Sequence, residues 1–398
     1  MGVIGFNFFK MGTEVKMNRK IYAFYSVLKK SLPIWFVFLI YLRGKGLSYT
    51  EALFLDSISA GVSMVFEVPS GIIADYKSRK WLIWYGELFV TINYILLLFG
   101  KSYYIFLVGA VFGGLGEACI SGTGEALLYD SFKNENLESE YTKYAGKISK
   151  LGLRFAAVST LAASYLYSMN NEIPMLISLL FQIISLIIIV FFKDNQIKEK
   201  RQESNLVSEL KKQWDNIKYV VMNKSLIKLF FIYLIMLEII SNLNYSSQTF
   251  LPELGLNIKY LGVIFFIFNI IASFGAKSAD KIKMNTKKII VIYGILLISL
   301  SISNLYFAIV FLGCSRYMNG FIWPLLSGEI NQQIPTGNRA TILSYKSLLC
   351  QIFPLFIDPI VGILFDFKGI RFTYVLMGII LLLWVLVYFI IMKLGRKK

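Results

Sequence analysis

The chain has 398 residues, of which 56% are hydrophobic and only 16% charged, and its mean hydropathy is +0.62. That composition excludes an ordinary water-soluble fold, because too few polar side chains are present to clothe one. The net charge of +17 does not point to nucleic acid, since the basic residues sit in short segments between apolar runs, as they do in membrane proteins.

Apolar runs of about 20 residues, the length a helix needs to cross roughly 30 Å of hydrocarbon, recur along the whole chain. The first lies behind Lys10, Lys16, Arg19 and Lys20 and is followed by further runs, so it is expected to be retained and not cleaved as a signal peptide. Twelve spans are expected, near 21–42, 51–73, 81–99, 103–128, 147–168, 173–192, 226–249, 259–277, 287–305, 306–328, 343–364 and 371–392; they are numbered one to twelve in that order. Between spans six and seven, lysine-rich residues lead into Leu206, Leu210, Trp214, Ile217 and Val221 at helical spacing, the pattern of an amphipathic helix on a membrane surface. The expected organisation is therefore an N-terminal six-helix bundle, 1–192, a cytoplasmic linker, 193–225, and a C-terminal six-helix bundle, 226–398.

Lysine and arginine crowd the even-numbered connections, for example Lys77, Arg79 and Lys80, or Lys281, Lys283, Lys287 and Lys288. The odd-numbered ones hold only Arg43, Lys45, Lys101, Lys259, Lys368 and Arg371. Retention of cations on the inner side predicts that both termini are cytoplasmic, with the odd-numbered connections outside. There is no histidine, and Cys119, Cys314 and Cys350 lie apart within apolar stretches. Neither a zinc site nor a redox pair is expected from such spacing, and no metal or cofactor. The glycine-rich stretch around Gly113 to Gly124 lacks the lysine-serine ending of a phosphate-binding loop.

The two halves echo one another. Gly71-Ile72-Ile73-Ala74-Asp75 follows span two and Ala276-Lys277-Ser278-Ala279-Asp280 follows span eight, while Ser121, Gly122 and Glu125 in span four find a looser copy in Ser327, Gly328 and Glu329 of span ten. The segment Gly71-Ile72-Ile73-Ala74-Asp75-Tyr76-Lys77-Ser78-Arg79-Lys80 resembles the loop signature of the major facilitator superfamily, with Gly71, Asp75, Arg79 and Lys80 matching and Tyr76 and Ser78 departing from it. Glu67-Val68-Pro69-Ser70 and residues 114–130 resemble bacterial members of the drug-efflux type. The resemblance implies an all-α membrane protein of twelve transmembrane helices in two pseudo-symmetric bundles, related by an axis along the membrane normal and working by alternating access. It also implies a cytoplasmic gate built on Gly71, Asp75, Arg79, Lys80 and the second copy's Asp280. Physically, Asp75 can sit at the positive end of a neighbouring helix or pair with a cation such as Arg79. Two features of proton-driven antiporters are missing: span five has no Gly-Pro motif, and span four carries Glu117 where a mid-span arginine is usual.

A charge within a span is costly, about 2.5–3.5 kcal/mol on insertion scales, and so faces a wet cavity or a partner. Lys29 and Lys30 lie in span one, Asp56 and Glu67 in two, Glu117 and Glu125 in four, Arg154 in five, Glu238 in seven, Arg316 in ten and Asp358 in eleven. The resemblance implies that spans three, six, nine and twelve face lipid; of these only span three carries an interior charge, Glu87. Glu117, Glu238 and Arg316 come nearest to mid-membrane, with Asn242 and Asn319 about one turn beyond the latter two. These residues, with Lys29, Lys30, Arg154 and Asp358, are the expected substrate or proton cavity. Two plainer readings stand beside this one: an internal ion pair such as Glu238 with Arg316 that only holds helices together, and snorkelling of Lys29 and Lys30 toward the inner interface. The expected function is secondary transport at the cell (plasma) membrane, by a monomer, with a small-molecule substrate and a coupling proton or ion as partners and the lipid bilayer as solvent. Export of small amphipathic or drug-like compounds is favoured, with Glu117 or Glu238 taking the proton. Lys29, Lys30, Arg154 and Arg316 make an anionic solute the nearest alternative. A membrane receptor or membrane enzyme would be a third class, for which no nucleophile, base or soluble domain is visible.

Overall fold

The computed structural model describes residues 14–76, 78–121, 123–133, 137–192, 224–279, 286–333 and 339–395. Every regular element among them is helical, as lipid requires of a spanning chain that must satisfy its own backbone groups. Span one is broken: helix Glu14–Lys30 gives way to a 3₁₀ turn at Pro33–Phe36 and then to Phe38–Gly44, with a bend of 49° between Met17–Phe36 and Phe38–Gly44. Spans two to ten follow as Tyr49–Tyr76, Arg79–Phe99, Tyr103–Ile120 with Thr123–Lys133, Glu138–Met169, Ile173–Val190, Lys224–Glu253, Leu261–Ser278, Thr286–Ser301 and Leu305–Gln333. Spans eleven and twelve lie in Arg339–Gly395, broken at Gly369, whose φ of 81° is open to glycine without strain. Among the described residues, seven helices are long and apolar enough to cross a membrane, besides the bent pair of span one. Residues 193–223, which carry the expected amphipathic helix, Asp280 and the side chain of Asp75 lie outside the described residues.

The chain forms two compact units, 1–33, 62–159 and 174–200 in one, and 34–61, 160–173 and 201–398 in the other. Residues 34–61 and 160–173 of the first sequence half thus pack with the second half. Span six shows how the sequence sets a helix in lipid. Ser178, Gln182 and Ser185 are buried while Leu176, Leu180 and Ile187 are exposed, so polar groups turn inward to protein partners and apolar ones outward.

Small residues decide how closely helices approach where no hydrophobic effect drives them together. In the second unit, a Cβ on Gly275 would come 2.0 Å from the carbonyl oxygen of Tyr317, and one on Gly320 would come 1.9 Å from that of Ala272. Spans eight and ten therefore touch backbone to backbone. Gly328, about two turns further along the same helix, has open space around it. Gly320→Val is expected to cost about 1–3 kcal/mol by forcing the two helices apart and to lower the thermal midpoint of the detergent-solubilised protein, whereas Gly328→Val leaves it unchanged.

Candidate functional site

In the second unit, span seven presents Glu238, Asn242 and Tyr245 along one face at successive turns. Asn242 Nδ2 donates to Glu238 Oε1 at 2.6 Å and to Asp358 Oδ1 of span eleven at 2.9 Å. The Glu238 and Asp358 carboxyls are thus neighbours that share one amide. Asp56 of span two lies beside the Tyr245 hydroxyl and close to Asp358. Among the described residues, no lysine or arginine forms an ion pair with any of the three carboxyls. The ion pair between Glu238 and Arg316 weighed from the sequence is not formed; Glu238 turns to Asn242 and Asp358 instead.

Tyr245 connects this cluster to a cavity of about 290 Å³, which it lines with Trp35, Phe36, Ser241, Asn244, Gln248, Phe265, Asn269 and Arg316. The Arg316 guanidinium lies 5.8 Å from the Phe265 ring centroid, and no carboxylate pairs with it among the described residues. Arg316 thus offers this cavity a cation, flanked by amides and aromatic faces. Asn242 Oδ1, Ser315 Oγ and Asn319 Oδ1 are buried without a hydrogen-bond partner among the described residues, although none of the three residues lines this cavity. The sequence singled out Glu238, Asn242, Arg316, Asn319 and Asp358. It listed Asp56 only among the span charges and missed Tyr245, Asn244, Gln248 and Asn269, although a polar stripe at i, i+4, i+7 along span seven was there to be read.

The first unit treats its charges differently. Glu87 is fully buried and accepts from Lys29 Nζ at 3.2 Å, from the Tyr25 hydroxyl and from Gln182 Nε2; Lys29 also donates to Gln182 Oε1 at 3.1 Å. Lys29, expected as a cavity cation, is therefore held by an internal carboxylate, and spans three and six, expected to face lipid, contribute the polar centre of this unit. Burying this ion pair is tolerated because Tyr25 and Gln182 add hydrogen bonds to the carboxylate and Gln182 also accepts from the ammonium. Glu117 and Arg154 are exposed, Glu117 near Tyr25, and Lys30 lies against Gly152. Lys29→Met leaves the Glu87 charge buried and unpaired, which is expected to cost about 3–5 kcal/mol; Lys29→Met with Glu87→Gln should recover most of the lost thermal stability.

Residues 21–352 match the family pattern described as Major Facilitator Superfamily. The chain belongs to that superfamily. An uncharacterized MFS-type transporter of Bacillus subtilis, YxaM, is 21% identical over 371 residues, covering 91% of each chain. An uncharacterized transporter of Buchnera aphidicola is 26% identical over 246 residues, 59% of this chain and 57% of that one. Among solved structures, the nucleoside transporter NupG aligns with a TM-score of 0.75 at 12% identity over 95% of this chain and 99% of its own. The human organic anion transporter MFSD10 aligns at 0.56 and 13% identity, over 94% and 99%. At these identities the likeness of the structures concerns the fold. The superfamily makes this a multi-pass membrane protein that moves a small molecule, and a transporter, not an enzyme.

For a superfamily member, two ends of the bundle matter. At the end expected to be inner, Arg79 of the loop signature pairs with Asp130 of span four, and Lys80 donates to the Val190 carbonyl at 2.6 Å; Gly71 is exposed with nothing packed on it. At the end expected to be outer, the second unit is sealed across the halves. Asp366 accepts from the backbone amides of Tyr49 and Thr50 at 2.9 and 2.7 Å and from the Thr50 hydroxyl at 2.6 Å. Its carboxylate thus caps the positive end of span two. Gln248 accepts from Leu39 N at 3.1 Å, Tyr49 donates to Glu253 at 2.8 Å, and Ser164 accepts from Gly262 N at 2.8 Å. Hydrogen bonds to a charged group contribute about 1.5–3 kcal/mol each. Asp366→Ala is therefore expected to raise, by about tenfold or more, the rate at which an impermeant thiol reagent labels a Ser241→Cys probe from that side in a background free of other cysteines.

Proposed function

We propose that this protein is a proton-coupled secondary transporter of the cell membrane, with both termini cytoplasmic, in which Glu238 and Asp358 carry the coupling proton and the Arg316 cavity receives a small amphipathic solute. The observation that carries the reading is the single Asn242 amide shared by two neighbouring carboxyls, one turn from a residue that lines the cavity. When the proton leaves, two like charges stand side by side in a low-dielectric interior. That repulsion is large enough to favour another packing of spans seven and eleven. Tyr245 gives solute and proton a common neighbour, which is what coupling requires. In this reading the two sequence halves, 1–192 and 226–398, rock about the site, and the Asp366 seal is what must open for the outer-facing state.

Trp35, Phe36 and Phe265 with the amides of Asn244, Gln248 and Asn269 suit a flat solute with polar edges, and NupG, of similar fold, is described as carrying nucleosides. The direction we favour is export, on the likeness of residues 67–70 and 114–130 to efflux-type members. One observation supports a second reading, transport of an anionic solute: Arg316 has no carboxylate partner among the described residues, and MFSD10 is described as an organic anion transporter.

The test is flux into proteoliposomes under an imposed proton gradient, with a panel of neutral, cationic and anionic aromatic solutes. Glu238→Gln and Asp358→Asn are each expected to reduce gradient-driven accumulation by about tenfold or more, while solute exchange without a gradient continues. Unchanged accumulation in both variants would remove the coupling assignment. Arg316→Met distinguishes the two solute readings: a loss confined to anions favours the second, and a loss across the panel favours the first.

A further inference from the structure

A second cavity, of about 420 Å³, lies wholly within the first unit and shares no residue with the Arg316 cavity. Tyr22, Ser26 and Lys30 of span one line one side; Glu125 of span four and Tyr141 and Ser149 of span five line the other. Its volume falls within the ordinary range of small-molecule sites, about 300–1,000 Å³.

The sequence builds this space with glycine. A Cβ on Gly152 would come 2.6 Å from Lys30 Cδ, so glycine makes room for the lysine stem to lie against span five as it does. A Cβ on Gly124 would come 3.3 Å from the Tyr22 ring, so glycine beside Glu125 gives that ring room against span four. Gly146, in the wall, leaves open space in front of it. Glu125 lies near enough to both Tyr22 and Tyr141 for its charge to act on their hydroxyls.

Lys30 and Glu125 therefore face one cavity with opposite charges, and among the described residues neither is engaged in an ion pair. Lys29, one residue away, shows what a structural lysine does in this unit: it is closed onto Glu87. A solute bearing one charge would satisfy one wall and leave the other uncompensated. A solute bearing both satisfies both, with its carboxylate on Lys30 and its ammonium on Glu125, and the Tyr22 and Tyr141 rings in the same lining can themselves attract a cation. We infer that this cavity is a binding site for a zwitterionic solute of amino-acid to dipeptide size, with Lys30 and Glu125 as its two charge-recognising residues.

The inference rests on the first unit's cavity and not on the coupling carboxyls of spans seven and eleven. The test is equilibrium binding by calorimetry to the full chain in lipid nanodiscs. The probes are phenylalanine and alanyl-phenylalanine, each beside its N-acetylated form, an anion, and its methyl ester, a cation. A zwitterion should bind about tenfold or more tightly than either of its singly charged forms. Lys30→Met should abolish the preference over the ester and Glu125→Gln the preference over the acetylated form, whereas Lys30→Arg and Glu125→Asp, which keep the charges, retain both and report that the unit is folded. No preference for either zwitterion over its derivatives, or a preference that survives Lys30→Met and Glu125→Gln, would overturn the inference. Repeating the titration in Glu238→Gln separates the readings, because binding here should persist where coupling is lost.

Discussion

A charge inside a bilayer has no solvent to retreat to, and the helices of this protein are arranged around where each charge finds its partner. Two solutions occur. In the first unit, Lys29 and Glu87 neutralise each other, and Tyr25 and Gln182 take up the remaining hydrogen-bonding capacity. In the second, three carboxyls lie near one another with, among the described residues, an amide and a phenol beside them and no ion-paired cation. The first arrangement is self-sufficient and ties spans one, three and six into a body. The second has no such internal counter-charge among the described residues, and like charges brought together in a low-dielectric interior repel.

This contrast matches the division of labour in a rocking transporter, where parts that must stay rigid alternate with parts that must yield. Spans eight and ten touch through backbone at Gly275 and Gly320, leaving little room for either helix to slide. The seal at the expected outer end rests on a few polar contacts instead, from Asp366, Gln248, Ser164 and Tyr49. Hydrogen bonds of this kind can be exchanged for contacts with water when that end opens, at small net cost. A close-packed glycine interface has no such substitute.

Much of the fold was legible because hydropathy is local: a run of apolar residues predicts a span whatever its neighbours are, and helices stand at the expected places. The loop signature carried the family for the same reason. The facing of a helix is not local. Glu87 lies on a span expected to face lipid, and only Lys29, 58 residues away, and Gln182, 95 residues away, decide that it points inward. Three polar residues at the middle of spans three and six, Glu87, Gln182 and Ser178, were the available hint. The same limit separated Glu238 from Asp358: each was singled out, yet nothing in the spacing of 116 residues pairs them, and Arg316 offered a more obvious partner by charge. That residues 34–61 and 160–173 pack with the second half was likewise out of reach, because it depends on which ends of the helices meet.

The cap that Asp366 places on span two receives two of its three hydrogen bonds from peptide groups. Such a lock is asymmetric in its tolerance of sequence drift. The key must remain a short acid, whereas the keyhole is cut in main chain that almost any residue except proline supplies. The two peptide donors would thus survive substitution at positions 49 and 50, and such changes would cost only the side-chain contacts, those of the Tyr49 hydroxyl with Glu253 and of the Thr50 hydroxyl with Asp366.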